Sequence, residues 1–256
     1  MSTISRAFLA LFLLWVAPAL AANPAFVSGT VNNGVSSTSP MTVTSNGSVT
    51  SGDIMVVTIL PIGTAAAPTA ITPPSGGGWS TGLSTTTIGS SFGAAAVFYK
   101  AATVTGSFSG SFTWSGTTSG GLWTFSEWSG GNTTTPLDGA ATTSQNASSS
   151  SPTTPSITPT AGNTQDTKIA VLFGSAIGVS NAVTKPSALA TVKVVAETTT
   201  APLTGVASLA LSSAGATGTD TWTLGTAQVT LGVSLLLQPP GSGAACPSMN
   251  LLGVGC

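Results

Sequence analysis

Ionisable side chains are what this chain has least of. Of its 256 residues, 5 are Lys or Arg, 6 are Asp or Glu, and none is His. General acid–base catalysis, metal ligation and phosphate binding draw mainly on those types and on Cys. Without imidazole a Ser–His–Asp triad is excluded. No Ser-x-x-Lys pair occurs, and Lys168, Lys185 and Lys193 read as solvated residues on strand faces or turns. Two thiols, Cys246 and Cys256, make no zinc site without histidine. The glycine runs Gly76-Gly77-Gly78, Gly120-Gly121 and Gly130-Gly131 lack the Lys and the strand-to-helix setting of a phosphate loop, so they read as loop glycines. So few positive charges cannot neutralise many phosphates, which argues against nucleic acid as a partner. There is no polybasic patch for anionic lipid either. No catalytic residue, cofactor or metal site is expected.

Helical periodicity is also missing. Beyond the first residues no stretch repeats apolar side chains at i, i+3, i+4 and i+7 over three turns. The one long apolar run, Ala7 to Val16, follows Arg6 and precedes Pro18 and the small-x-small site Ala19-Leu20-Ala21. That is the pattern of a secretory signal, and the run is short for a bilayer span. Residues 1–22 are therefore expected to be a signal peptide, placing the chain outside the cell or on its surface, with no membrane association after cleavage. Cleavage would leave four lysines against six carboxylates. In an oxidising compartment, Cys246 and Cys256 are expected to close a disulfide in the tail 241–256, with intermolecular pairing as the alternative.

What is present favours β structure. The chain is 41% hydrophobic with mean hydropathy +0.44, so it can bury a core. Roughly three residues in ten are Ser or Thr, so solubility rests on hydroxyls and backbone. A near-neutral surface lacks the repulsion that keeps copies apart, which points to self-association. Val229, Leu231, Val233, Leu235 and Leu237 alternate with Thr230, Gly232 and Ser234, the mark of a half-buried strand. Phe108, Phe112 and Trp114 share a face, as do Ile169, Val171 and Phe173. Residues 53–62 (DIMVVTILPI) read as a strand covered on both faces. Further strands are expected over 25–32, 40–45, 93–101, 121–128, 189–196, 205–212 and 219–224. Residues 63–78 read as a long loop, and 139–166 as a flexible Ser/Thr/Pro segment with one strand near 156–160. The expected fold is all-β: one two-sheet antiparallel sandwich, jelly-roll-like, over residues 23–240.

Few side chains remain for a site. Glu127 and Asp138 form the obvious carboxyl pair for glycoside hydrolysis, Glu127 alternating with Trp123 and Phe125. Read as structure, Glu127 ends a strand in solvent and Asp138, after Pro136, is a turn residue; this reading is preferred. Asp138, Asp166 and Asp220 are the carboxylates open to calcium, but none lies in a DxD cluster. Of the large aromatics, Trp114 and Trp222 read as core. Trp79, after a Gly-rich loop, and Trp128, before Ser129-Gly130-Gly131, are the candidate ligand-binding residues, able to stack on sugar rings.

The order of several segments carries a resemblance. GDIMVVTI (52–59), PPSGGGW (73–79), AVFYKAAT (96–103), SFTWSG (111–116), EWSGGNTTTPLDG (127–139) and the terminal LLLQP (235–239) follow one another. The series resembles a loosely defined group of jelly-roll-like modules in phage virion or tail proteins and bacterial exported surface proteins. Here the Trp turn is lengthened by glycines and the charge is lower than in such modules. The resemblance implies a β-sandwich with a display or attachment role, and it brings no catalytic residues. The expected function is a non-enzymatic structural or adhesive protein, self-associating or binding surface glycan. The alternatives are a virion decoration, fibre or tail component and a carbohydrate-active enzyme.

Overall fold

The computed structural model describes residues 22–31, 39–160, 163–174, 182–196 and 202–241. The expected signal segment, but for Ala22, lies outside them, as do Cys246 and Cys256. The strands are β1 (Ala25–Val31), β2 (Met41–Val49), β3 (Ile54–Gly63), β4 (Thr69–Thr72), β5 (Ser80–Thr87), β6 (Ala94–Ala101), β7 (Gly106–Ser115), β8 (Thr118–Ser129) and β9 (Thr142–Ser149). After them come β10 (Thr153–Thr154), β11 (Thr167–Gly174), β12 (Val183–Thr184), β13 (Ala190–Ala196), β14 (Leu203–Ala210), β15 (Asp220–Thr221), β16 (Thr223–Leu224) and β17 (Gln228–Leu237). No helix occurs among the described residues.

The strands form two five-stranded antiparallel sheets, β1-β8-β3-β6-β5 and β13-β14-β11-β17-β9. Each is drawn from one half of the chain, so strands are not exchanged between sheets as in a jelly roll. A three-stranded sheet, β2-β7-β4, and two short ribbons, β10-β15 and β12-β16, complete the structure. The architecture therefore has more layers than the expected two.

Three apolar clusters explain the layering. Ile54, Val56, Leu60 and Trp128 of the first five-stranded sheet meet Ile169, Val171, Phe173, Leu231, Val233 and Leu235 of the second. The alternate residues Met55, Val57, Ile59, Phe98 and Phe125 face the other way, against Met41, Val43, Phe112 and Trp114. Strand period two thus gives β3 two apolar faces, as its unbroken run requires. On the far side of the second sheet, Ala170, Leu172, Leu203 and Ala207 pack under Trp222 and Leu224.

That last face departs from expectation. Thr230 and Ser234 were expected to face water, yet both are fully buried. The segment around β10 lies across them: the Ser234 hydroxyl donates to Pro155 O at 2.7 Å. A Cβ on Gly232 would fall 2.2 Å from Thr153 O, so only glycine lets this strap approach. The strap is pinned from β9 as well, where Ser144 Oγ and Asn146 Nδ2 donate to Thr153 O at 3.2 and 3.0 Å. The low-complexity stretch is thus partly ordered: it holds β9 and β10, and no strand forms over 156–160.

Candidate functional site

Carboxyl groups are where many sites begin, and here the described ones point inward. Asp53, Glu127, Asp138, Asp166 and Asp220, the described carboxyl groups, are all at most 9% exposed. Lys168, expected in solvent, is fully buried on β11. Its ammonium lies 2.5 Å from Asp220 Oδ2 and donates to Thr217 Oγ1 at 3.0 Å and Gly218 O at 3.2 Å. Thr154 Oγ1 adds a hydrogen bond to the same Asp220 oxygen at 3.2 Å. The ion pair joins the second sheet to the strap and the β15 ribbon. A buried charge is tolerated only when paired and hydrogen-bonded in this way.

Glu127 and Asp138, the carboxyl pair considered for glycoside hydrolysis, each lie beside a different acid. Antiparallel pairing of β3 with β8 sets Met55 opposite Glu127 and brings Asp53, just before β3, beside it. Glu127 accepts from Thr50 N–H at 2.9 Å and from the Ser28 hydroxyl at 2.8 Å. Burial first, then the hydrogen bond and charge of Glu127, push Asp53 up to about 6. Glu127, far from ending its strand in solvent, is 1% exposed.

Asp138 meets Asp166 instead. Burial raises Asp138, but hydrogen bonds from the Thr160 side chain, Asp166, the Thr160 backbone and Asn163 outweigh it and hold it below the usual carboxylate range. Thr160 N–H donates to Asp138 Oδ2 at 2.6 Å, and its hydroxyl to Oδ1. Burial, then the bond to and charge of Asp138, push Asp166 up to about 7.

The aromatic candidates also move. Trp128 is 1% exposed between the two large sheets, its Nε1–H donating to Ser126 Oγ at 2.9 Å. Both ring faces are covered, so it offers no platform to a sugar. Trp79 is half-buried, edge-on to Phe108 and Phe112 at 5.5 and 5.6 Å, against the second hydrophobic cluster. A Cβ on Gly77 would lie 2.7 Å from its ring, so the glycine turn closes over it. Gly120 and Gly121 belong to β8 rather than to a loop, and a Cβ on Gly121 would fall 2.6 Å from Met41 Cε.

A surface cleft of about 460 Å³ remains. It opens where β5 begins beside Tyr99, because Ser80 is the first β5 residue paired with β6. Gly76, Gly77, Gly78, Ser80, Tyr99 and Lys100 line it from one side, and Thr103, Thr133, Thr134 and Pro136 also border it. None of these is a carboxyl group. Tyr99, not Trp79 or Trp128, is the aromatic ring that borders the opening. The lining can hold a ligand by ring contact, hydroxyl and backbone hydrogen bonds and one ammonium, and it contains no carboxyl group.

No protein-family model matches the chain, and no curated protein or solved structure is significantly similar to it. Among the described residues no helix is long and apolar enough to cross a membrane.

Proposed function

We propose that the chain is a non-enzymatic structural or adhesive protein of an exported surface, acting through contact with glycan or with copies of itself. One observation carries this reading: the described carboxyl groups are all buried and none lines the cleft, which is lined by hydroxyls, glycine backbone, Tyr99 and Lys100. Such a lining suits the ring and hydroxyls of a saccharide and has little means of moving protons. Three segments of the motif series, PPSGGGW, AVFYKAAT and EWSGGNTTTPLDG, each contribute lining residues. Their convergence supports the attachment role that the resemblance to phage and surface modules implies. Export rests on Arg6, the apolar run from Ala7 to Val16 and the Ala19-Leu20-Ala21 site.

Self-contact has its own support. Of the four edge strands of the large sheets, β1 (AFVSGTV), β5 (STGLSTTT) and β9 (TTSQNASS) carry no charged residue, while β13 carries Lys193. Edge charges are a common device against strand-to-strand association, and the first three edges lack it.

A panel of soluble polysaccharides, scored for both retention and hydrolysis, tests the reading. At least one should be retained without turnover. Tyr99→Ala should then weaken retention about tenfold, the equivalent of an aromatic contact of roughly 1.4 kcal/mol. Hydrolysis that Glu127→Gln selectively abolishes would replace this reading with a glycosidase.

A further inference from the structure

Buried polar atoms in folded proteins nearly always have partners, and an exception calls for a reason such as a bound ion. Asp166 is 0% exposed, and neither of its side-chain oxygens has a hydrogen-bond donor. The group within reach is a second carboxyl, that of Asp138, itself 8% exposed. Among the described residues no basic side chain is shown to relieve the pair: the buried ammonium two residues on, Lys168, is committed to Asp220. Neutral polar groups surround Asp138. Thr160 is hydrogen-bonded to Asp138 through its hydroxyl, Asn163 also bonds Asp138, and Gln238 Oε1 lies 3.4 Å from Asn163 Nδ2.

We propose that Asp138 and Asp166 together bind Ca²⁺, with the Thr160 hydroxyl oxygen and water available to complete the shell. An all-oxygen donor set is that of a hard cation. Loops of irregular geometry suit Ca²⁺ better than Mg²⁺, which requires near-ideal octahedral ligands and sheds water reluctantly. Among the described residues no third Asp, Glu, His or Cys joins the group. Two carboxylates place the affinity at the weak end of the calcium scale, with a Kd on the order of 10⁻⁴–10⁻³ M, a range used by extracellular modules.

The site would also do mechanical work. It ties the loop after β8 to the segment entering β11 and to the end of β17, where Asp138 N–H already bonds Leu236 O at 3.0 Å. That loop supplies Thr133, Thr134 and Pro136 to the cleft, so the ion would firm one cleft wall. The site stands whether or not the cleft takes glycan.

The test uses the whole protein, stripped with EDTA and melted at neutral pH. About 5 mM Ca²⁺ should raise Tm by roughly 3 °C or more, and the same concentration of Mg²⁺ by clearly less. Asp166→Asn keeps a neutral donor facing Asp138, and should fold but lose the calcium response. No calcium shift in the wild type, an equal Mg²⁺ shift, or an undiminished shift in Asp166→Asn would each overturn the proposal. Should that variant not fold, Tb³⁺ bound to the wild type decides: emission displaced by Ca²⁺ supports the site, and its absence overturns it.

Discussion

The two large sheets cover their outer faces by different mixtures of apolar and polar contact. The first meets β2, β7 and β4 with Met41, Val43, Phe112 and Trp114 packed on Met55, Val57, Ile59 and Phe98. The second is covered in part by Trp222 and Leu224, packed on Ala170, Leu172, Leu203 and Ala207, and in part by polar contacts at its strap: the Lys168–Asp220 ion pair, Ser234 to Pro155 O, and Asn146 and Ser144 to Thr153 O. Thr230, buried in the same row without a hydrogen-bond partner, is the exception. Apolar burial is non-directional and tolerant of shape. A polar network is costly when one member is lost. The first cover should therefore degrade gradually under mutation, and the second abruptly.

The sharpest break is Asp220→Ala, which leaves the Lys168 ammonium buried without its anion. Chemical denaturation should show a loss of about 3–5 kcal/mol. Replacing both partners, Lys168→Met with Asp220→Leu, should restore most of that loss, because two apolar groups leave no orphan charge. If the double variant is no better than the single one, the ion pair does not act as a unit. Gly232→Ala comes next. Its methyl would push Thr153 off the sheet, at a cost of about 1–3 kcal/mol read in the same assay. Limited proteolysis should then cut between 150 and 160. Under the apolar cover, Ile59→Val should cost about 0.5–1.5 kcal/mol and leave proteolysis unchanged. A loss there as large as for Asp220→Ala would erase the contrast.

Much of the framework was legible in the residues, and the reasons it was not elsewhere are physical. β3, β11 and β17 declare themselves because their apolar residues recur at period two or run unbroken. β5 and β9 do not, since edge strands of Ser, Thr and Asn have little apolar face to display. Lys168 read as solvated because its anion lies 52 positions away, at Asp220, and only the folded strap joins them. Trp128 read as a candidate stacking residue because two glycines follow it; they mark the strand end, whereas burial was set by its alternation with Ser126 and Thr124 toward the opposing sheet. The Asp53–Glu127 contact had one available signal. Both acids sit at the ends of the two most apolar stretches, which antiparallel pairing would bring together.

The carboxyl groups also set a pH dependence. Asp53 is pushed up to about 6, so between its ordinary 3.8 and that value the folded state holds more proton than the unfolded one. The contribution is complete below pH 4 and fades as pH rises through 6. Relative to Asp53→Asn, the wild type should therefore lose stability between pH 4 and 7, on the order of 2–3 kcal/mol at roughly 1.4 kcal/mol per pH unit. Melting curves across that range measure it.

The inward placement of charge is tested most directly by following the Asp53 carboxyl carbon by NMR as pH is varied in calcium-free buffer. A midpoint near 6 is expected for a group buried beside Glu127. A midpoint near 4, the value of a carboxyl in open water, would contradict it.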